Sequence, residues 1–173
     1  MPTITNATGP LTLAGLHSTD EVVPSTIPVD LATDTYRTML RVVVPVAAGD
    51  LLDISGWARV TNDVGRNRGD AGYTVGVGWH LWMYDASDGL GSAGLWTRIS
   101  PLCGDNVSRD RHHMPLAIDT LYTVPADWPA EHLMVVVLRA DAHSTAWKSG
   151  DTLTVDRDYG QLTARRWTPP AAA

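Results

Sequence analysis

Ala47-Ala48-Gly49-Asp50-Leu51-Leu52-Asp53-Ile54 and, far downstream, Lys148-Ser149-Gly150-Asp151-Thr152-Leu153-Thr154-Val155 decide the fold class. In each, a Gly-Asp turn opens onto a stretch with an apolar residue at every second position, which is how a half-buried strand begins. The pair predicts two turn-into-strand corners of an all-β domain.

Reading outward from the first corner, Leu40, Val42, Val44 and Val46 alternate with Met39, Arg41, Val43 and Pro45. This suits a strand near a sheet edge, because Pro45 cannot donate to a ladder. Beyond the corner, Leu52, Ile54, Ala58 and Val60 share one face, with Asp53, Ser55, Trp57 and Arg59 on the other. Residues Asn62 to Gly72 read as a polar loop. The clearest period lies in Gly72 to Tyr84: Tyr73, Val75, Val77, Trp79, Leu81 and Met83 form a core face. The opposite face carries Thr74, Gly76, Gly78, His80, Trp82 and Tyr84, flat at the glycines and then aromatic, so it is expected to accept close approach by a sheet, a subunit or a ligand.

Further on, Leu116, Ile118, Tyr122 and Val124 keep the period, and Leu133 to Leu138 is apolar on both faces, as in a central strand or one covered by a partner. Leu153 and Val155, then Leu162 and Ala164, bring the total to about eight strands. No segment carries a convincing helical repeat. The expected fold is therefore an all-β antiparallel β-sandwich, jelly-roll-like, with its body over residues 38–168. Residues 1–37, broken by Pro24 and Pro28, read as an extended N-terminal arm, and residues 169–173 as a short tail. Val22, Val23, Ile27, Val29 and Leu31 are the arm's candidate assembly contacts; an ordered strap on the chain's own domain is the other reading of the segment.

Composition narrows the function. At 173 residues the chain fits one domain large enough to bury a core. The formal charge of −6 argues against nucleic-acid binding, which takes a clustered basic excess. Cys103 is the single cysteine, so no internal disulfide is expected. The N-terminal residues lack the basic start and apolar run of an export signal, and no apolar stretch is long enough to span a bilayer, so neither secretion nor a membrane is expected.

The long stretch from Asp85 to His113 reads as a loop, the kind of segment that carries chemistry or contacts, and holds Trp96, Cys103, Asp110, His112 and His113. Adjacent histidines in extended chain point to opposite sides, and the His-x-His spacing that would present two imidazoles to one metal is absent, so no metal or other cofactor is expected. There is no Gly-x-Ser-x-Gly elbow, and a lone cysteine reads as a small apolar residue, so no catalytic residue is assigned and the chain is not expected to be an enzyme. Asp110, His112 and His113 remain candidate loop contacts. Arg68-Gly69-Asp70 reads as a polar Gly turn and not an adhesion motif, and the two Asn-x-Ser/Thr matches at Asn6 and Asn106 mean nothing without a secretory route. With seven tryptophans and no phenylalanine, the chain offers His80, Trp82, Tyr84 and Trp96 as a candidate aromatic contact face. A sugar-stacking platform is one use of such rings, and filling a core without phenylalanine is the other.

The segments Gly49 to Asp53, Val60-Thr61-Asn62-Asp63, Val75 to Gly78, Arg111-His112-His113, Arg139 to Ser144 and Asp151 to Asp156 resemble small virion structural proteins of actinobacteriophages. The scarcity of Lys and Phe agrees with a high-GC genome, since their codons are AT-rich. The resemblance implies a β-domain that decorates a capsid or sits in it as a minor capsid protein, or alternatively a tail component, and it carries no catalytic residues. It further implies a homo-oligomer, expected to be a trimer, in contact with the major capsid protein or with tail proteins. Such a protein would be assembled in the bacterial host cytoplasm and end in the virion.

Overall fold

The structure, a computed structural model, describes residues 10–23, 26–30, 36–62, 74–86, 97–108, 113–128, 132–146, 148 and 150–170. These form ten strands: β1 (Thr12–Thr19), β2 (Thr26–Asp30), β3 (Arg37–Val46), β4 (Leu51–Thr61), β5 (Thr74–Asp85), β6 (Thr97–Arg98), β7 (Cys103–Ser108), β8 (His113–Thr123), β9 (His132–His143) and β10 (Thr152–Thr168). They build two layers. Layer one runs β1-β10-β4-β8, and layer two runs from β6 and β7 through β5 and β9 to β3. The strand β2 belongs to both: Thr26, Ile27 and Pro28 pair antiparallel with β10, and Val29 and Asp30 then pair parallel with β9. It is the corner strand that turns two sheets into one curled sandwich.

The inward rows of both layers form one core, including Leu40, Val42, Val44, Leu52, Ile54, Val75, Val77, Leu81, Leu116, Val136, Leu138, Leu153 and Leu162. Apart from Val136 and Leu138, whose strand is apolar on both faces, these are positions that the twofold period placed together on one side of a strand, because successive side chains point to opposite faces. Trp79 joins the layers by donating its indole N–H to the Ala117 carbonyl at 2.9 Å. Layers also touch where Gly56 sits: a Cβ there would lie 2.9 Å from Leu162 Cδ1 and 3.8 Å from Leu138.

Both quoted cassettes are corners that carry the chain from layer two to layer one, from β3 to β4 and from β9 to β10. Their hydrogen bonding is the same. Asp50 N–H donates to the Ala47 carbonyl at 3.1 Å, and Asp151 N–H to the Lys148 carbonyl at 3.0 Å. In return Ala47 N–H donates to Asp50 Oδ2 at 2.7 Å, and Lys148 N–H to Asp151 Oδ2 at 2.8 Å. Gly49 and Gly150 have φ of 83° and 92°, the left-handed conformation that the third position of a type II turn requires and that a side chain disfavours. The Asp following that glycine closes the turn twice, with its backbone N–H and with its carboxylate.

Three expectations are corrected. The described residues form ten strands where about eight were expected, because β1 and β2 lie within residues 1–37 and β6 and β7 lie within the stretch read as a loop from Asp85 to His113. Leu153 to Ala164, read as two strands, is the single strand β10, which bulges between Val155 and Gly160. The described part of the expected arm is a strap on its own domain: β1 pairs with β10, while Val22, Ile27 and Val29 are buried in the core. Val23 is half-buried and its N–H donates to the Met39 carbonyl at 2.8 Å. The physical reason is that β10 and β9 leave strand edges that the segment satisfies while burying its own apolar side chains. Leu31 lies outside the described residues. Edge placement of Pro45 agrees with the structure, since β3 pairs among the described residues with β9 alone.

Candidate functional site

The aromatic part of layer two's outer face, the expected contact surface, is covered, although Val43 and Leu133 on the same face stand at 46% and 53% exposure. His80 is 1% exposed, Tyr84 is buried and Trp82 is half-buried. The His80 ring stacks on Tyr36 with centroids 4.3 Å apart and meets the edge of Trp82 at 5.1 Å. Behind this group, Tyr84, Val135 and Val137 form a small second apolar cluster. Arg139 donates to the Tyr36 carbonyl at 2.9 Å. Burial, with Arg98 and Arg139 adding positive charge, lowers the His80 pKa to about 4, so the ring is neutral at ordinary pH. The two glycines do allow close approach, but by the chain's own side chains: a Cβ on Gly76 would collide with the His143 ring, and one on Gly78 would lie 2.5 Å from Asp141 Oδ1. The expected open aromatic face is thus corrected to a second, partly polar packing surface. Trp96, Asp110 and His112 lie outside the described residues.

His113, the remaining loop candidate, begins β8 and joins a cluster on the outer face of layer one that its loop placement did not suggest. Its Nδ1 lies 2.7 Å from Thr61 Oγ1, and Thr61 Oγ1 lies 2.9 Å from both carboxylate oxygens of Asp156. Arg59 pairs with the same carboxylate, and its guanidinium carbon sits 3.3 Å over the Tyr159 ring. A threonine hydroxyl has one proton, and the carboxylate can only accept, so the proton points to Asp156 and the His113 Nδ1–H donates to the hydroxyl. That order is the reverse of an activated nucleophile, in which the imidazole accepts the hydroxyl proton. The cluster anchors a wide bulge: Asp156, Arg157, Asp158 and Tyr159 stand between the pairs Val155↔Val60 and Gly160↔Ala58, opposite Arg59 alone. The bulge borders a shallow groove of about 500 Å³ shared with Thr26 and Thr154. Gly160 permits its return, since a Cβ there would lie 2.7 Å from Val22 and 3.1 Å from the Trp57 carbonyl.

Beside this bulge the rest of layer one's outer face is open. Leu13 is 50% exposed, Leu16 63%, Trp57 38% and Leu121 67%. Cross-strand register puts Leu16, Arg165, Asp53 and Leu121 in one row over β1, β10, β4 and β8. Arg165 and Asp53 form an exposed ion pair at 3.4 Å in the middle of that row. The sequence pattern had assigned Asp53 and Trp57 to an outward face. It did not reveal the leucines of β1 and β8 beside them, because pairing of distant strands places them there.

Among the described residues no group of three His, Cys, Asp or Glu side chains is arranged to hold a metal ion. Cys103 is half-buried on β7 as a free thiol. The arrangement is suited to contact: a broad, partly apolar sheet face with a polar protrusion at one end.

No family model and no curated protein matches the chain. Similarity appears in solved structures. A chain of the T13 particle of infectious bursal disease virus (IBDV) superposes with a TM-score of 0.53 at 10% identity, over 95% of this chain and 35% of that one. The VP2 subviral particle of infectious bursal disease virus gives 0.45 at 11% identity, over 95% and 37%. A family 4 carbohydrate-binding module (CBM4) gives 0.27 at 14% identity, over 92% and 78%. This chain spans about a third of the length of the two viral chains. The all-β sandwich expected from the two corner cassettes is a fold that this chain shares with part of a chain of the T13 viral particle.

Proposed function

We propose that this chain is a virion structural protein of a bacteriophage, a capsid-surface decoration or minor capsid protein that stabilises a shell through subunit contacts and turns over no substrate. The fold shared with a chain of the T13 IBDV particle over 95% of this chain supports the class. The observation that carries the contact role is the open outer face of layer one, where Leu13, Leu16, Trp57 and Leu121 stand at 38% to 67% exposure on one sheet. Single exposed apolar residues are ordinary, whereas several large ones on one face of a sheet mark a surface that another molecule covers. The strap formed by β1 and β2 belongs to the domain, so contact is made by this preformed surface and not by a reaching arm.

Mass spectrometry of purified particles bearing this gene tests the proposal, combined with immunogold labelling. The chain is expected in the particle, in many copies and on the head. Labelling confined to the tail would replace the capsid role with a tail role, and absence from particles would reject both.

A further inference from the structure

We propose that the outer face of layer one docks onto the same face of a second copy, about a two-fold axis that runs parallel to the strands between β10 and β4. The argument is the order of side chains across the sheet. Leu16, Arg165, Asp53 and Leu121 read apolar, positive, negative, apolar from β1 to β8. A two-fold axis along the midline reverses that order in the facing copy. Each Arg165 then meets the partner's Asp53, and each Leu16 meets the partner's Leu121.

Neighbouring rows obey the same operation. Leu13, Trp167, Leu51 and Thr123 form one, so Trp167 faces Leu51 of the other copy. Ser18, Thr163, Ser55 and Asp119 form the next, so the Ser18 hydroxyl faces a carboxylate that can accept its proton. No row opposes like charges. A face that complements itself under one rotation is what an isologous dimer requires, and aligned packing of sheets keeps paired rows together.

Size is adequate. Four strands at normal spacing span about 19 Å and their paired length about 30 Å, so each copy covers on the order of 600 Å². Two copies together reach about 1,200 Å², the lower end of stable specific interfaces. Charged pairs at the centre set register and orientation, while the leucines and Trp57 supply the apolar area. The pairing goes beyond the virion role and does not depend on it, since it concerns the isolated chain. A trimer, by contrast, would need a different, head-to-tail surface.

Sedimentation equilibrium of the full chain tests the pairing. The wild type is expected at twice the 18.7 kDa chain mass, and Leu121→Asp or Leu16→Asp should raise the dissociation constant roughly tenfold or more. These side chains are exposed, and circular dichroism should confirm an unchanged fold. The sharper arm uses charge reversal. R165D alone and D53R alone should each weaken self-association, because each places like charges face to face. Mixing the two should restore a heterodimer, since both central pairs again become opposite. The intrachain Asp53–Arg165 pair is not restored by mixing, so recovery can only come from contacts between copies. A monomeric wild type, a trimer insensitive to Leu121→Asp, or a mixture that stays dissociated would each overturn the proposal. Because the virion role is read from particles and this pairing from the isolated chain, either can fail without the other.

Discussion

The aromatic patch on the outer face of layer two and the leucine row on that of layer one are built from the same kind of apolar side chains and have opposite fates. Layer two places His80, Trp82, Tyr84, Val135 and Val137 outward and then covers them. Layer one places Leu16, Trp57, Leu121 and the Arg165–Asp53 pair outward and leaves them open. Aromatic content therefore says little about where a protein meets its partners. What decides is whether the chain's own segments already occupy the face.

The largest expected effect breaks that comparison from the covered side. Val135→Asp, at a position with no exposure between Tyr84 and Val43, would bury a carboxylate and should cost about 4 kcal/mol or more in denaturant unfolding. If the variant instead unfolds like the wild type, that face is not packed as described.

Next come the corners that hold the layers together. Asp50 is 1% exposed and also accepts from Arg166 Nε at 2.6 Å, so Asp50→Ala opens the turn and strands a mostly buried guanidinium. A loss of about 3 kcal/mol is expected. Asp151→Ala opens the equivalent turn and removes a buried carboxylate, and a loss of about 1 to 3 kcal/mol is expected. Equal losses would show that the turn itself, and not the ion pair, dominates at both corners.

The third effect is acid sensitivity. His80 is lowered to about 4 in the folded chain, while an unfolded histidine titrates near 6.5. Between these values the unfolded chain takes up a proton that the native chain does not, so the neutral ring's stability is fully present above pH 6.5. It is lost as pH falls toward 4, by about 2 to 3 kcal/mol in all. Denaturant unfolding at pH 7 and pH 4 should show a steeper decline for the wild type than for His80→Leu. Parallel declines would mean that the ring is hydrated in the folded protein. The smallest effect belongs to the open face: Leu121→Asp should leave monomer stability within about 0.5 kcal/mol of wild type, because the side chain is already in water.

Legibility followed the range of the physics involved. The core rows of β3, β4 and β5 could be read directly, since alternation along one strand reports which side is apolar, whereas β9, apolar on both faces, did not reveal its core side. Both corners could be read because Gly before Asp encodes a turn within four residues. The strap could not: Val22, Ile27 and Val29 sit among prolines and carry no long alternating run, and their burial depends on edges of β9 and β10 supplied by residues more than a hundred positions away. The Thr61–His113–Asp156 cluster was missed for the same reason, as its members come from three strands. The bulge had a local sign in Asp156-Arg157-Asp158-Tyr159, a polar run inside an otherwise alternating strand.

By itself, then, the order of residues determined that this chain is all-β, where it turns, and which side of each strand faces the core. Those properties rest on forces between neighbours in the chain: backbone geometry at a glycine, a carboxylate within reach of an N–H, and the twofold period of the pleat. Only the tertiary structure decided that the aromatic patch is covered and that Leu16, Arg165, Asp53 and Leu121 stand in one row. Register between distant strands creates that row, and it is set by the packing of the whole sandwich, where a shift of one residue would turn every side chain to the other face.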